Sequence, residues 1–283
     1  MHVSTGPDRC AILLSVLLAS GCSGFKSEAA APDHDIEVVA AHIQLADGLG
    51  FHPSGALLAT QEYRGGGLVR IDPQSGLFTY VVRDLADPDN LAITGSTIYV
   101  TEEDTQGRII EIDSMGRIST FADGLDGPEG LDLGPDGKLY VVEHAPNGRI
   151  YRYSLAGRRE TLGRASNGEG LRVLPDGSIV IAETSEQRLL RLFPDGTRRY
   201  LAARELEAPD GVAYDPVQQR LLVTEDAAPG RMLQVDLESG ALHTVATGLN
   251  KPQTMLFEAD GSILVAEQGE DRILRLRPKQ EAQ

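Results

Sequence analysis

Five carboxylates and one amide recur along the chain at Asp47, Asp89, Glu129, Glu169, Asp210 and Gln253, separated by 42, 40, 40, 41 and 43 residues. Each stands in a short turn directly before Gly, Asn or Thr, as in Pro128-Glu129-Gly130 and Pro209-Asp210-Gly211. An acid before glycine often only caps a tight turn, but capping does not account for Glu and Gln in the same slot. Brought to one point, these carboxylates would repel and raise one another's pKa values unless a cation or donor groups compensated. Hard oxygen donors of this kind suit Ca²⁺ or Mg²⁺.

A second set, Glu62, Glu102, Glu143, Glu183, Glu225 and Glu267, is as regular as the first. In five of its copies an Arg follows five or six residues later (Arg108, Arg149, Arg188, Arg231, Arg272), so these acids read as scaffold, each paired with its own Arg. Function is expected where the symmetry breaks, at the residues that follow: Tyr63, Glu103, His144, Thr184, Asp226 and Gln268. Tyr63 and Thr184, with Asp89 and Gln253, are expected to line a channel. His144 could shuttle a proton there, against the plainer reading of an exposed loop histidine. No Ser-His-Asp arrangement, CxxC pair, phosphate-binding Gly loop or HExxH motif is present. Hydrolysis by a Ser or Cys nucleophile is therefore unsupported.

The elements that must position these residues are six copies of a repeat of roughly forty residues, beginning near Ala46, Ala86, Asp126, Asn167, Glu207 and Asn250. Each reads as an acidic turn, a short strand, a tight turn such as Pro135-Asp136-Gly137 or Pro175-Asp176-Gly177, an apolar run ending in Glu, and two further strands. Four short strands per repeat is the signature of a propeller blade, so the expected fold is an all-β, six-bladed β-propeller. In such a ring the turn before the innermost strand and the loop after the second strand share one face. The last copy lacks its fourth strand, and His42–Leu49 resembles Ile118–Leu125 at the end of the second copy. An N-terminal strand is therefore expected to complete blade six and close the ring.

The chain has 283 residues and a formal net charge of -16, which argues against a nucleic-acid partner. Arg9, the apolar run Ala11 to Leu18, and Ala19-Ser20-Gly21-Cys22 resemble an export signal ending in the lipobox of bacterial lipoproteins. The expected division is a signal with its acylated Cys22 over 1–22, a flexible tether over 23–35 and the propeller over 36–283. Cys10 falls inside the signal, which leaves Cys22 without an intramolecular partner. The expected location is the bacterial cell envelope, lipid-anchored and periplasm-facing, with the outer membrane favoured, or secretion. The lipid would be the sole membrane contact, and the chain is expected to be a monomer acting on a small molecule.

Over about residues 36 to 278 the sequence resembles the regucalcin and gluconolactonase group of six-bladed propellers. The matching segments are Ala208-Pro209-Asp210-Gly211-Val212-Ala213-Tyr214-Asp215, Ser166-Asn167-Gly168-Glu169-Gly170-Leu171 and Gly127-Pro128-Glu129-Gly130-Leu131. The resemblance implies a metal-dependent hydrolase of lactone or ester type. It implies one divalent cation, usually Ca²⁺, with Mg²⁺ or another cation as alternatives, held by Asp47, Glu129, Glu169 and Asp210, with Asp210 also acting in proton transfer. The family usually has Glu, Asn, Asn and Asp there, so two neutral amides have become carboxylates, and a second or more highly charged cation would fit. Streptogramin lyases are a competing resemblance through Thr101-Glu102 and Thr224-Glu225, but they carry a Trp in that strand and this chain has none. Binding propellers of the NHL type share the general repeat, and imply capture of a cationic ligand or a protein partner without catalysis.

Overall fold

The computed structural model describes residues 29–104 and 106–279. Cys22, the signal and residues 23–28 lie outside the described residues. Within them the chain forms six four-stranded antiparallel sheets arranged as the blades of a propeller. The innermost strands are Ala46–Phe51, Pro88–Thr94, Pro128–Leu133, Gly168–Val173, Pro209–Asp215 and Pro252–Phe257. The second strands, such as Leu57–Gln61, Leu139–Glu143 and Ile263–Glu267, are buried along their whole length. They read as unbroken apolar runs because both faces of each blade are covered by neighbours. Six buried clusters fill the six blade interfaces. The cluster between blades six and one joins Leu57, Ala59, Val69 and Ile71 to Leu264, Ala266 and Ile273. Each Leu or Ile buried there contributes about 1.5–3 kcal/mol.

The ring is closed by His34–Ala41, which pairs antiparallel with Arg272–Pro278 and sets Ile36 opposite Leu276 and Val38 opposite Leu274. Closure by an N-terminal strand agrees with the expectation, but the segment differs. His42–Leu45 is a connection, and Ala46-Asp47-Gly48 opens the inner strand of blade one, where Ala46 pairs with Gln61 as Pro128 pairs with Glu143. The similarity of His42–Leu49 to Ile118–Leu125 therefore does not reflect equivalent places in the fold. The ordered domain also begins before residue 36: Ala30 exchanges two backbone hydrogen bonds of 2.8 Å with Thr247, and Ala31 is buried against the blade-six core. Among the described residues no helix is long and apolar enough to cross a membrane.

Candidate metal centre at the channel mouth

Every inner strand opens with a bulge. Pro128 pairs with Glu143 and Leu131 with Val141, so one extra residue is carried across Glu129-Gly130, and the same shift occurs in all six blades. A bulge leaves its residues outside the ladder and re-aims their side chains. The glycine that follows the acid has its own cause. A Cβ on Gly48 would lie 2.6 Å from the carbonyl oxygen of Asp89, and one on Gly130, Gly170 or Gly211 would strike the carbonyls of Glu169, Asp210 and Gln253. Glycine thus lets neighbouring inner strands close around the channel. Thr101 and Thr224 bind the same contact from the second strand, their Oγ1 donating to Glu129 O and Gln253 O at 2.9 Å.

The residue just before each inner strand has positive φ: Leu45 (45°), Asp87 (61°), Gly127 (56°), Asn167 (47°), Ala208 (45°) and Lys251 (51°). Its carbonyl accepts the N–H of the residue after the second strand, namely Glu62, Glu103, His144, Thr184, Asp226 and Gln268 in blade order, at 2.6–3.2 Å. These contacts make a second ring of side chains at the mouth. They also correct the register of blade one. Its counterpart of Glu102, Glu143, Glu183, Glu225 and Glu267 is Gln61, opposite Ala46, so Glu62 stands at the mouth and Tyr63 lies one residue beyond.

The five outer glutamates are scaffold. Their side chains are 1–2% exposed, and each is joined to Arg108, Arg149, Arg188, Arg231 or Arg272. Each also accepts a backbone N–H from the preceding inter-blade connection, as Glu183 does from Ser166 at 2.9 Å and Glu267 from Asn250 at 2.8 Å. In blade one, where Gln61 takes the place of the glutamate, the N–H of Leu45, one residue further along the connection, donates to Asp271 Oδ1 at 2.8 Å. The missing Arg of blade one was the sequence signal for this exception, since a neutral Gln61 needs no counter-charge.

The inner ring is buried at Asp47, Asp89, Glu129 and Gln253, and more open at Glu169 and Asp210. His144 Nδ1 is hydrogen-bonded to Glu129 Oε1, and its Nε2 lies 3.6 Å from Glu169 Oε1. Gln268 Nε2 donates to Glu62 Oε2, and Lys251 Nζ lies 3.4 Å from Asp226. Thr184, expected to line the channel, spends its hydroxyl on Pro209 O at 2.6 Å.

Burial first, and then the carboxylates of Asp89, Glu62 and Asp210, push Asp47 well above the ordinary carboxylate range. Burial and the charges of Glu62, Asp210 and Glu169 do the same to Asp89, burial and contact with Glu169 to Glu129, and burial with Glu169 and Asp226 to Asp210. Glu62 is pushed up to about 7, again chiefly by burial. Glu103 is raised by burial, with Glu129 and His144 pulling the other way.

Two groups place three donor atoms within 4.8 Å of one another: Glu103, Glu129 and His144, and Asp47, Glu62 and Asp89. The four residues assigned by resemblance are divided by this geometry. Glu129 belongs to the first group and Asp47 to the second, while Glu169 and Asp210 flank them. Glu129 Oε2 is buried without a hydrogen-bond partner. An unpaired buried oxygen among acids that resist ionising together is what a bound cation would satisfy, so these residues fit a metal ion. Along the inner strands lies a cavity of about 280 Å³, lined by Leu91, Leu131, Leu171 and Val212 together with Asn90, Asp132 and Arg172.

No protein-family model matches the chain, and no curated protein sequence matches it. Solved structures do. A gluconolactonase from Xanthomonas campestris superposes with a TM-score of 0.76 at 14% identity, covering 92% of this chain and 94% of that one. A putative oxidoreductase (glucose dehydrogenase) from Thermus thermophilus gives 0.70 at 18% identity, with coverages of 86% and 99%. A virginiamycin B lyase from Staphylococcus aureus gives 0.62 at 15% identity, with coverages of 88% and 90%. At these identities the likeness establishes the shared propeller fold.

Proposed function

We propose that the protein is a metal-dependent hydrolase of lactones or related esters, working at the acidic channel mouth. The observation that carries the reading is His144 set between Glu129 and Glu169 in a cup of buried carboxylates. The gluconolactonase that shares this fold supports the reading. A divalent cation would be held by carboxylates drawn from Asp47, Glu129, Glu169 and Asp210, and when bound it would supply Lewis-acid polarisation of a carbonyl. Asp210, its affinity for a proton raised by burial, takes the proton of the attacking water. His144, oriented by Glu129, returns a proton to the departing oxygen as the ring C–O bond breaks.

The test is proton release on a sugar lactone and a simple aryl ester by purified protein, before and after chelation. Hydrolysis lost on chelation and restored by a divalent cation supports the reading; no hydrolysis of either substrate, or hydrolysis indifferent to chelation, contradicts it. Capture of a cationic ligand without catalysis is the second reading, favoured by the same concentration of negative charge. It would appear as salt-sensitive binding by metal-free protein. The location belongs to this proposal too: Cys22 as the acylated first residue of the mature chain, holding the propeller at the envelope. Intact mass of the mature protein and its release from membranes by Cys22→Ser would check it.

A further inference from the structure

We propose that the cation sits off the channel axis between blades two and three, on Glu103, Glu129 and His144, and that it is a nitrogen-accepting transition cation of the Zn²⁺ or Mn²⁺ class. This rests on the metal-dependent reading above, and it moves the cation from the inner carboxylates to this corner, with His144 a ligand rather than the proton donor.

Three observations converge on that corner. The donor atoms of the three residues lie within 4.8 Å of one another, so one ion can reach all of them. Glu129 is only 4% exposed, and its Oε2 has no hydrogen-bond partner although Oε1 is engaged by His144. A buried carboxylate oxygen left bare is costly, and a ligand bond removes that cost. The set is also chemically mixed. Ca²⁺ takes six to eight oxygens, whereas imidazole with carboxylates suits Zn²⁺, Mn²⁺ or Fe²⁺.

The position of His144 is enforced by the fold. Its N–H is tied to Gly127 O at 2.6 Å, which fixes the backbone of the side chain that faces Glu129. Glu169 Oε1 stands 3.6 Å from His144 Nε2, beyond hydrogen-bond reach and outside the ligand set. The other cluster, Asp47, Glu62 and Asp89, is as compact and as buried, but it differs in its donors. It contains no nitrogen, and Glu62 already accepts from Gln268. It serves as an internal control.

The experiment titrates the chelator-stripped full chain with Co²⁺ alone and with Ca²⁺ alone, by calorimetry and by the visible spectrum of Co²⁺. The expected result is one Co²⁺ per chain with the spectrum of a nitrogen-containing site, and no displacement by excess Ca²⁺. His144→Gln and Glu103→Gln should each weaken Co²⁺ by about ten-fold or more, while Asp89→Asn leaves it within about three-fold. His144→Cys should restore Co²⁺ and add a thiolate-to-metal absorption, which also shows that this position is folded and accessible. Preference for Ca²⁺, binding of neither ion, or Co²⁺ affinity lost in Asp89→Asn but unchanged in His144→Gln would overturn the assignment. Metal-dependent lactone hydrolysis that survives His144→Gln with unchanged Co²⁺ affinity overturns the seat and the proton-donor role of His144, while metal-dependent hydrolysis itself stands. Co²⁺ bound as expected by a protein without hydrolysis supports the seat and overturns the hydrolase.

Discussion

Glu62 shows how one register step changes a residue's role. Counted with the regular glutamates it would be scaffold; opposite Leu45 at the mouth it becomes one of a cluster of acids. Its folded pKa is raised from 4.5 to about 7, so the stability it contributes is fully present below pH 4.5 and is lost as pH rises through about 7. Asp47, Asp89, Glu129 and Asp210 are shifted in the same direction. Metal-free protein should therefore melt at a lower temperature at pH 7.5 than at pH 5.5, and Glu62→Gln should flatten that slope. Turn aspartates such as Asp113 are held below their ordinary value by backbone N–H groups and Arg117, and act only at more acidic pH. The regular glutamates predict a different outcome. Glu183→Ala removes the partner of Arg188 and of the Ser166 N–H together. With Arg188 partly exposed, a loss of about 2–3 kcal/mol in urea unfolding is expected, with any bound metal unaffected.

Blades were legible in the sequence because their repeat is enforced by packing. Each second strand must be apolar on both faces, and four of the five inner acids are followed by a glycine that meets the next blade's carbonyl. Gly130→Ala should therefore cost about 1–3 kcal/mol, read as a lower melting temperature, because the clash is with backbone at Glu169. What was not legible was the left-handed residue before each inner strand, which is Leu, Asp, Gly, Asn, Ala and Lys in turn. Its conformation is imposed by the hydrogen bond to the mouth residue rather than by side-chain preference, so no motif marks it. Ala208→Gly should relieve this and stabilise the fold by about 0.5–1 kcal/mol, a reversal of the usual penalty for glycine in a folded segment. The closing strand was foreseen in kind and misplaced in sequence, since the Ala-Asp-Gly-Leu similarity at residues 46–49 and 122–125 joins two different elements.

For the whole molecule, a six-fold scaffold carries an unsymmetrical site. The inner carboxylates were visible as a spacing, but their partition into two corners depends on which loop follows each second strand, and on His144 being the one histidine in that ring of six. Spacing alone cannot show that Glu62 leans on Gln268 while Glu103 and His144 close around Glu129. The net charge of -16 adds a field that draws cations to the mouth, and this effect weakens with salt. The most direct test is elemental analysis of the purified chain before and after chelation, paired with Glu129→Gln. One divalent cation per chain, removed by chelator and lacking in Glu129→Gln, is the expected result. Metal-free protein whose stability and composition do not change on adding divalent cations would contradict the reading of this propeller as a metal enzyme.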